Sequence, residues 1–210
     1  MIGGTVARLA TAAGHQVVLS NSRGPETLKD LADELGPLAG AGTTEEAAGA
    51  DIVVVSIPVK AYGRVPAGPL AGRVVIDTGN YYPQRDGQIA DIDSGSLTTS
   101  ELLQRHLPAA VVKAFNNIFF KHLGSLARPA GAADRTFLPI AGDDPQAKAA
   151  VTAFLDSIGY GIVDAGPLAE GWRYDAGSPA YGAIYGSFED EAGTPADAGA
   201  VHTALAAARR

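Results

Sequence analysis

The sequence predicts an α/β protein whose sheet is mainly parallel. Short runs rich in Val, Ile and Leu alternate with segments of helical periodicity along most of the 210 residues. These runs are apolar at consecutive positions, which is typical of strands that helices cover on both faces. The chain is 46% hydrophobic but only 7% aromatic, and this composition favours such a layered sheet over a sandwich or a barrel.

Six segments are predicted to form strands. The first follows Gly14, the next three are continuous β-branched runs, and the last two are weaker candidates. In chain order they are Gln16–Ser20, Asp51–Pro58, Arg73–Asp77, Ala110–Phe115, Thr136–Ala141 and Gly161–Asp164.

Helical patterns lie between these strands. The clearest helix begins at Asp144-Pro145 and is stopped by Gly159. Another lies at the start of the chain, and two more begin at capping boxes, in which a Thr and a Glu three residues later cap each other. The helix at the start of the chain has its apolar positions at Ile2, Val6, Leu9 and Ala13, and the capping boxes are the pairs Thr43/Glu46 and Thr98/Glu101. The alternation of strands and helices predicts right-handed crossovers and a doubly wound sheet of the Rossmann type.

The composition argues against several kinds of site. There is no cysteine, and the four histidines are scattered without ligand spacing, so we expect neither disulfides nor a metal. The net charge of −7, with no basic run, argues against a nucleic-acid partner. No apolar stretch reaches membrane-spanning length, and the first residues lack the pattern of a signal peptide, so we expect a cytoplasmic protein without a membrane partner.

The chain opens with Met1-Ile2-Gly3-Gly4 and runs directly into a helical pattern. In dinucleotide-binding units a strand and a G-x-G-x-x-G turn precede such a helix, whose N-terminal N–H groups reach the pyrophosphate. Ile2 and Gly3 are therefore predicted to bind a nucleotide, with Gly3 as the third glycine. The first strand and the first two glycines are then expected to be missing from the sequence. The alternative is an ordinary helix that begins after glycines.

A polar segment, Ser20-Asn21-Ser22-Arg23-Gly24-Pro25, follows the first predicted strand. A NAD-selective site would place an acid there to bind the ribose hydroxyls, but the first acid is Glu26. Asn21, Ser22 and Arg23 instead suit the 2′-phosphate of NADPH, because they offer hydroxyl, amide and guanidinium donors. A polar turn that caps the helix at Pro25 is the alternative.

Small polar residues also follow three successive predicted strands. Ser56-Ile57-Pro58 ends one strand, Asn80 follows the next, and Asn116 follows the one after. In open α/β sheets ligands bind in a crevice at the carboxyl ends of the strands. These residues are therefore predicted to share one cofactor crevice, although each alone fits an ordinary turn.

Several segments resemble a known family. SNSRGPETL, DIVVVSIP, VVIDTGNYYPQRDG and VVKAFNNI are similar to the NADP-dependent proteins that include NADPH:coenzyme F420 oxidoreductase and its bacterial relatives. The cytosolic domain of the six-transmembrane metalloreductases is similar in the same segments, and the resemblance continues through AGPLAEGWRY and SPAYG. It implies that Ser22 and Arg23 bind the 2′-phosphate and that Ser56, Ile57 and Pro58 border the nicotinamide half. The segment Ala114-Phe115-Asn116 is then expected to lie near the redox centre.

The expected function is hydride transfer between NADPH and a ring-shaped acceptor, which in this family is the deazaflavin coenzyme F420; flavin-like rings are a further expectation. Both reactive atoms belong to cofactors, so no catalytic acid or base is predicted. The chain lacks the Y-x-x-x-K pattern of short-chain dehydrogenases, and too few residues follow Asp164 for the helical domain of hydroxyacid dehydrogenases or imine reductases. A non-enzymatic NADPH-sensing module is the alternative.

Residues 1–142 are predicted to form an NADP-binding Rossmann-type domain, and residues 143–210 a small C-terminal α/β extension of it. The main domain, the extension or a second subunit must then form the acceptor crevice, which leaves a homodimer open. Lys113 is expected at the edge or end of the sheet, with a phosphate contact as the alternative. Lys121 and His122 are expected on the surface, with a place near the crevice as the alternative. Packing against the sheet or a partner, rather than stacking on a cofactor, is expected of the aromatic residues Trp172, Tyr174, Tyr181 and Tyr185.

Overall fold

The computed structural model describes residues 1–210, with seven strands and nine α-helices. The strands are β1 (Val17–Leu19), β2 (Ala39–Ala41), β3 (Ile52–Val55), β4 (Val74–Asp77), β5 (Ala110–Lys113), β6 (Phe137–Gly142) and β7 (Gly161–Asp164). The helices are α1 (Ile2–Ala12), α2 (Lys29–Leu35), α3 (Thr44–Ala48), α4 (Pro83–Asp86), α5 (Ala90–Asp93), α6 (Thr99–His106), α7 (Phe120–Ser125), α8 (Pro145–Ser157) and α9 (Ala198–Ala207). None of the helices is both long and apolar enough to cross a membrane.

Five strands form one sheet in the order β3-β4-β5-β6-β7. β3, β4 and β5 are parallel, so that Val55, Asp77 and Lys113 end them side by side. β6 runs antiparallel to β5, and β7 is parallel to β6. The predicted α/β fold with a mainly parallel sheet is confirmed.

β1 and β2 form a separate, parallel two-stranded sheet. No strand ladder joins β1 to β3, so each of these strands has one edge without a strand partner. β2 is absent from the predicted strands because Ala39–Ala41 contains only Ala and Gly, which lack the β-branched side chains that mark strands.

Alternate residues of the central strands face two different hydrophobic clusters. Val75 of β4 and Val111 of β5 belong to one cluster, whereas Ile76 and Val112 belong to the other. The larger cluster includes side chains of α1, α8 and α9, and the smaller one includes Leu103 of α6. Both faces of the sheet are therefore covered, as the consecutive apolar runs indicate.

The predicted helix starts are present. Thr43 and Thr98 each accept the N–H of a Glu three residues on, whose side chain accepts the N–H of the Thr in return. Asp144 accepts two N–H groups of the first turn of α8, at 2.7 and 2.9 Å, and Pro145 takes the first helical position. Gly159 follows α8 with a φ of +99°, a conformation that favours glycine and ends the helix.

Candidate functional site

The N-terminus of α1 lies against the carboxyl end of β3. A Cβ atom added to Gly3 would lie 3.3 Å from the Cβ atom of Ser56, which follows β3. The first turn of α1 has neither a side-chain cap nor an acidic residue. Because the N–H groups at a helix N-terminus have no partner within the helix, they attract anions. The structure thus brings Ile2, Gly3 and Ser56 together in a place that suits a phosphate group.

The loop after β1 presents Ser22 and Arg23 to solvent. Asn21 shapes this loop, because its Oδ1 accepts the N–H of Arg23 at 2.8 Å and its Nδ2 donates to Thr27 Oγ1 at 2.9 Å. The side chains of Ser22 and Arg23 are exposed and make no hydrogen bond or ion pair within the protein. Asn21 therefore positions the loop, whereas the other two side chains are free to bind a ligand.

Two asparagines join the ends of β4 and β5. Asn80 Nδ2 donates to the backbone carbonyl of Asn116 at 2.7 Å, and Asn116 Nδ2 donates to Asn80 Oδ1 at 3.2 Å. At the end of the neighbouring β3, Ile57 is 37% exposed and Pro58 leads into a 3₁₀ turn. The residues predicted from three strand ends therefore lie side by side along the carboxyl ends of β3, β4 and β5.

The backbone that leads to Asn116 adopts an unusual conformation. Phe115 is the only non-glycine residue with a positive φ, 65°, and it is fully buried. A bulky residue rarely adopts this left-handed conformation, and such strain concentrates at functional sites. Ala114 is also fully buried, and its N–H donates to the carbonyl of Asp77 at 3.0 Å. Ala114 and Phe115 thus hold the backbone that presents Asn116.

The side-chain oxygen of Asn116 has no partner. Asn116 Nδ2 donates to the carbonyl of Tyr174 at 3.0 Å and to Asp175 Oδ1 at 3.3 Å, which fixes the orientation of the amide. Asn116 Oδ1 is buried and accepts no hydrogen bond. An unsatisfied buried acceptor costs about 1–3 kcal/mol. This oxygen is therefore a strong candidate to bind an N–H or O–H group of a ligand.

Three charged side chains, which we call the charge cluster, lie beneath these strand ends: Asp77, Lys113 and Asp175. Asp77 and Lys113 are register partners on β4 and β5, and neither is exposed. Lys113 Nζ lies 2.6 Å from Asp175 Oδ1 and donates to Thr99 Oγ1 at 2.7 Å. Burial raises the pKa of Asp175, and the attraction of Lys113 opposes this rise.

Asp77 is held by three hydrogen-bond donors. Tyr62 and the N–H of Gly79 donate to its Oδ1 at 2.6 and 2.9 Å, and Ser100 donates to its Oδ2 at 2.6 Å. Burial, followed by the nearby charge of Asp77, raises the pKa of Tyr62 well above its usual value, so this hydroxyl stays a donor at neutral pH.

Sequence reasoning missed the charge cluster. Lys113 ends β5 as expected, but it does not lie at an edge, because β5 is the middle strand of its sheet. A lysine within an apolar run was the available signal for a buried charge. Its partner Asp175 lies far along the chain, and no local pattern connects the two residues.

Four aromatic side chains, which we call the aromatic surface, lie next to Asn117: Tyr82, Phe119, Tyr181 and Phe188. The ring centroids of Phe119 and Phe188 are 5.4 Å apart, and those of Tyr181 and Phe188 are 6.4 Å apart. The hydroxyls of Tyr82 and Tyr181 are 2.8 Å apart. The residue after Tyr181 donates its N–H to the carbonyl of Asn117 at 2.8 Å, which places the surface beside the strand ends. Phe188 is 52% exposed.

The expected surface position of His122 is wrong, and the expectation that the aromatic residues only pack is incomplete. His122 is fully buried rather than on the surface, because its ring packs edge-on against Phe119 with centroids 5.3 Å apart. Tyr174 and Tyr185 are fully buried, as expected of packing residues. Tyr181 differs from them, since it belongs to the aromatic surface.

The N-terminal part of the chain matches a protein family. Residues 1–81 match the model of the NADP oxidoreductases, coenzyme F420-dependent. This stretch includes α1, the loop with Arg23, the end of β3 and Asn80, and over it the resemblance seen in the sequence is confirmed. No curated protein matches the chain in sequence.

Solved structures extend the likeness to most of the chain. A hypothetical protein from Sinorhizobium meliloti is 26% identical, with a TM-score of 0.76 over 93% of this chain and 91% of that one. A candidate F420-dependent NADP reductase from Arthrobacter sp. FB24 is 25% identical, with a TM-score of 0.65 over 80% and 81%. Pyrroline-5-carboxylate reductase from Coxiella burnetii shares the fold at 13% identity and a TM-score of 0.53, over 84% and 61%. The fold is that of the NADP-dependent oxidoreductases.

Proposed function

We propose that this protein binds NADPH and transfers a hydride from it to coenzyme F420 or a flavin-like ring. The unpaired Oδ1 of Asn116 carries the proposal. It is a buried acceptor at the strand ends, where the nicotinamide half of a dinucleotide binds in open α/β sheets. The carboxamide of nicotinamide offers the N–H₂ donor that this oxygen lacks. NADPH supplies the hydride, and the residues described above bind and orient it.

The other candidate residues suit the remaining parts of NADPH. The first turn of α1, with Ile2 and Gly3, suits the pyrophosphate because its N–H groups have no helical partners. Ser22 and Arg23 suit the 2′-phosphate, since both side chains are exposed and unpaired and a guanidinium can bind two phosphate oxygens at once. On this proposal residues 1–142 form the nucleotide-binding unit. Residues 143–210 form an extension that supplies Asp175 and Tyr181 to the same crevice.

The aromatic surface supports a ring-shaped acceptor. Aromatic rings stack on flat ligands, and Phe188 and Tyr181 lie beside the strand ends with Phe188 half exposed. Coenzyme F420, a deazaflavin, is named in the description of the matching family and in the name of the Arthrobacter protein. A homodimer would cover the same surface. Sedimentation with and without the acceptor distinguishes a bound acceptor from a second subunit at this surface, because only a second subunit doubles the mass of the sedimenting protein.

Hydride transfer between two rings requires that they lie face to face and that water is excluded. Asn116 contributes by fixing the plane of the nicotinamide amide, and the aromatic surface contributes by covering the acceptor. No catalytic acid or base is assigned, since neither role needs a proton from the protein.

Stopped-flow mixing of the NADPH-bound protein with oxidised coenzyme F420 tests the proposal. We expect fast loss of the reduced-nicotinamide absorbance with the deazaflavin and little or none with keto acids or simple imines. Asn116→Ala should slow this step, because it removes the oxygen that orients the nicotinamide. Rapid keto-acid reduction would instead indicate a dehydrogenase, and tight NADPH binding with no acceptor reduced would indicate a sensing module.

A further inference from the structure

The charge cluster is not electrically balanced. Asp77 and Asp175 are two carboxylates and Lys113 is a single ammonium, so one negative charge is in excess when all three are ionised. Asp77 and Lys113 are fully buried, and the side chain of Asp175 is 27% exposed. Water and salt therefore screen this excess charge much less than they would at the surface.

Two charged pairs near the cluster do not balance it. Arg85 pairs with Asp86 at 2.8 Å, and the same guanidinium donates to the carbonyl of Asn80 at 2.6 Å. Arg173 lies 3.5 Å from Glu170. Each pair is neutral as a whole. Lys60, whose Nζ donates to the carbonyl of Arg85 at 2.7 Å, is exposed, so water and salt screen its charge and the excess negative charge of the cluster remains.

The hydrogen-bond donors around Asp77 and Asp175 suit carboxylates in their ionised form. Asp77 accepts from Tyr62, Ser100 and the N–H of Gly79, and a protonated carboxyl would lose part of this acceptor capacity. Asp175 Oδ1 accepts from Lys113 at 2.6 Å and also from Asn116 at 3.3 Å. Lys113 thereby opposes the rise in the pKa of Asp175 that burial causes.

We propose that the charge cluster favours the oxidised, positively charged nicotinamide over the reduced ring, and so promotes hydride donation by NADPH. This inference rests on the proposed function. Asp175 contacts Asn116 Nδ2, and Asn116 Oδ1 is the proposed nicotinamide contact, so a single side chain separates the cluster from the ring. When the hydride leaves with both bonding electrons for the acceptor ring, the nicotinamide becomes a cation. A fixed negative charge in a buried site stabilises that developing positive charge.

Asp175→Asn removes the charge with little change in shape. Both side-chain hydrogen bonds of Asp175 reach the same atom, Oδ1, so the amide oxygen of an asparagine can accept them both. The side chain at position 175 therefore positions Asn116 in the wild type and in Asp175→Asn alike, and the variant loses only the negative charge.

Asp77→Asn is a second variant that removes one negative charge. The amide oxygen can accept from Tyr62 and Gly79, and the hydroxyl of Ser100 can rotate to accept from the new amide nitrogen. Asp156→Asn is the matched control. Asp156 Oδ1 also lies 2.6 Å from a buried cation, Arg135, but this pair makes no hydrogen bond to the strand-end residues.

Calorimetric titration of each protein with NADP⁺ and with NADPH tests the inference. In Asp175→Asn and Asp77→Asn the ratio of Kd for NADP⁺ to Kd for NADPH should rise about tenfold, the effect of one unit charge at several ångströms in a partly screened site. Asp156→Asn should leave the ratio unchanged. If the Kd values for NADP⁺ and NADPH rose by the same factor, the cluster would be merely structural. If Asp156→Asn shifted the Kd ratio as much as the other two variants, the effect would be a general result of breaking an ion pair. Either result overturns the inference, while a wild-type protein that binds neither nucleotide overturns the proposed function itself.

Discussion

The five-stranded sheet and the two-stranded sheet hold their candidate site residues in different ways. At the end of β5, Asn116 is 3% exposed and its amide nitrogen lies within hydrogen-bond distance of three acceptors. After β1, the side chains of Ser22 and Arg23 are exposed and unpaired. The buried contacts of Asn116 therefore also stabilise the fold, whereas the exposed side chains of Ser22 and Arg23 contribute only to ligand binding. Substitutions in the two parts should therefore separate stability from affinity.

The largest difference is expected in the free energy of unfolding. Leu138 of β6 is fully buried, and Leu138→Ala should cost about 2–5 kcal/mol because it removes packed methyl groups and leaves a cavity. Leu19 of β1 is only partly buried, so the same change there should cost about 1 kcal/mol or less. Chemical denaturation of the two variants measures both values. Equal costs would show that the two-stranded part is as tightly packed as the larger sheet.

The structure also shows which features a sequence can reveal. The β-branched runs predict β3, β4 and β5, and parallel strands must end at one edge, so the meeting of Ser56, Asn80 and Asn116 follows from the pattern. The sequence does not reveal β2, whose Ala and Gly residues carry no strand signal, or the reversal at β6, since an apolar run has no direction.

The contacts within the site were harder to predict for a different reason. Asp175 reaches Lys113 and Asn116 through the tertiary fold, from a segment that follows β7. The positive φ of Phe115 is likewise imposed by its surroundings, because nothing in its residue type favours that conformation. Local patterns therefore locate the crevice, whereas its charge and its unpaired oxygen depend on contacts between distant segments.

Arg23→Ala should weaken NADPH binding by about 1.5–3 kcal/mol, the contribution of a hydrogen bond to a charged group. Binding of NADH, which lacks the 2′-phosphate, should hardly change, and the melting temperature should stay the same because the exposed Arg23 side chain makes no hydrogen bond or ion pair within the protein. Titration of both cofactors measures this. Arg64→Ala, at another exposed arginine, is the control. Equal losses for the two cofactors would rule out a 2′-phosphate contact.

The open edges of β1 and β3 offer a test of how the two parts are joined. Extending the chain before Met1 by a short apolar strand and a G-x-G turn should allow one strand to pair with both edges, since both are free and the turn would lead into α1. We expect about 2 kcal/mol of added stability, which is a rise of about 4–8 °C in Tm, and tighter NADPH binding. The same extension with proline in the strand is the control, because proline cannot donate to the ladder. Equal melting temperatures for the two extended chains would show that no strand inserts there.

The smallest expected difference lies between the two capping boxes. Thr43 and Thr98 accept the N–H of Glu46 and Glu101 at 3.1 and 3.2 Å, but Thr43 is exposed and Thr98 is 3% exposed. Thr98 Oγ1 also lies 3.5 Å from the carbonyl of Leu168. Thr98→Ala should therefore cost about 1–2 kcal/mol and Thr43→Ala about 0.5–1 kcal/mol, both within the range for a lost N-cap.

Denaturation of these alanine variants beside Thr43→Ser and Thr98→Ser measures that difference. The serine variants retain the hydroxyl, so they should recover most of the loss and show that the cap rather than the methyl group is responsible. The threonine hydroxyl then contributes more to the free energy of unfolding at Thr98 than at Thr43, because burial at Thr98 excludes the water that could replace its hydrogen bond. If Thr43→Ala proved as costly as Thr98→Ala, the cap of α3 would be as well protected as that of α6, and the contrast between the two parts of the molecule would not extend to their helices.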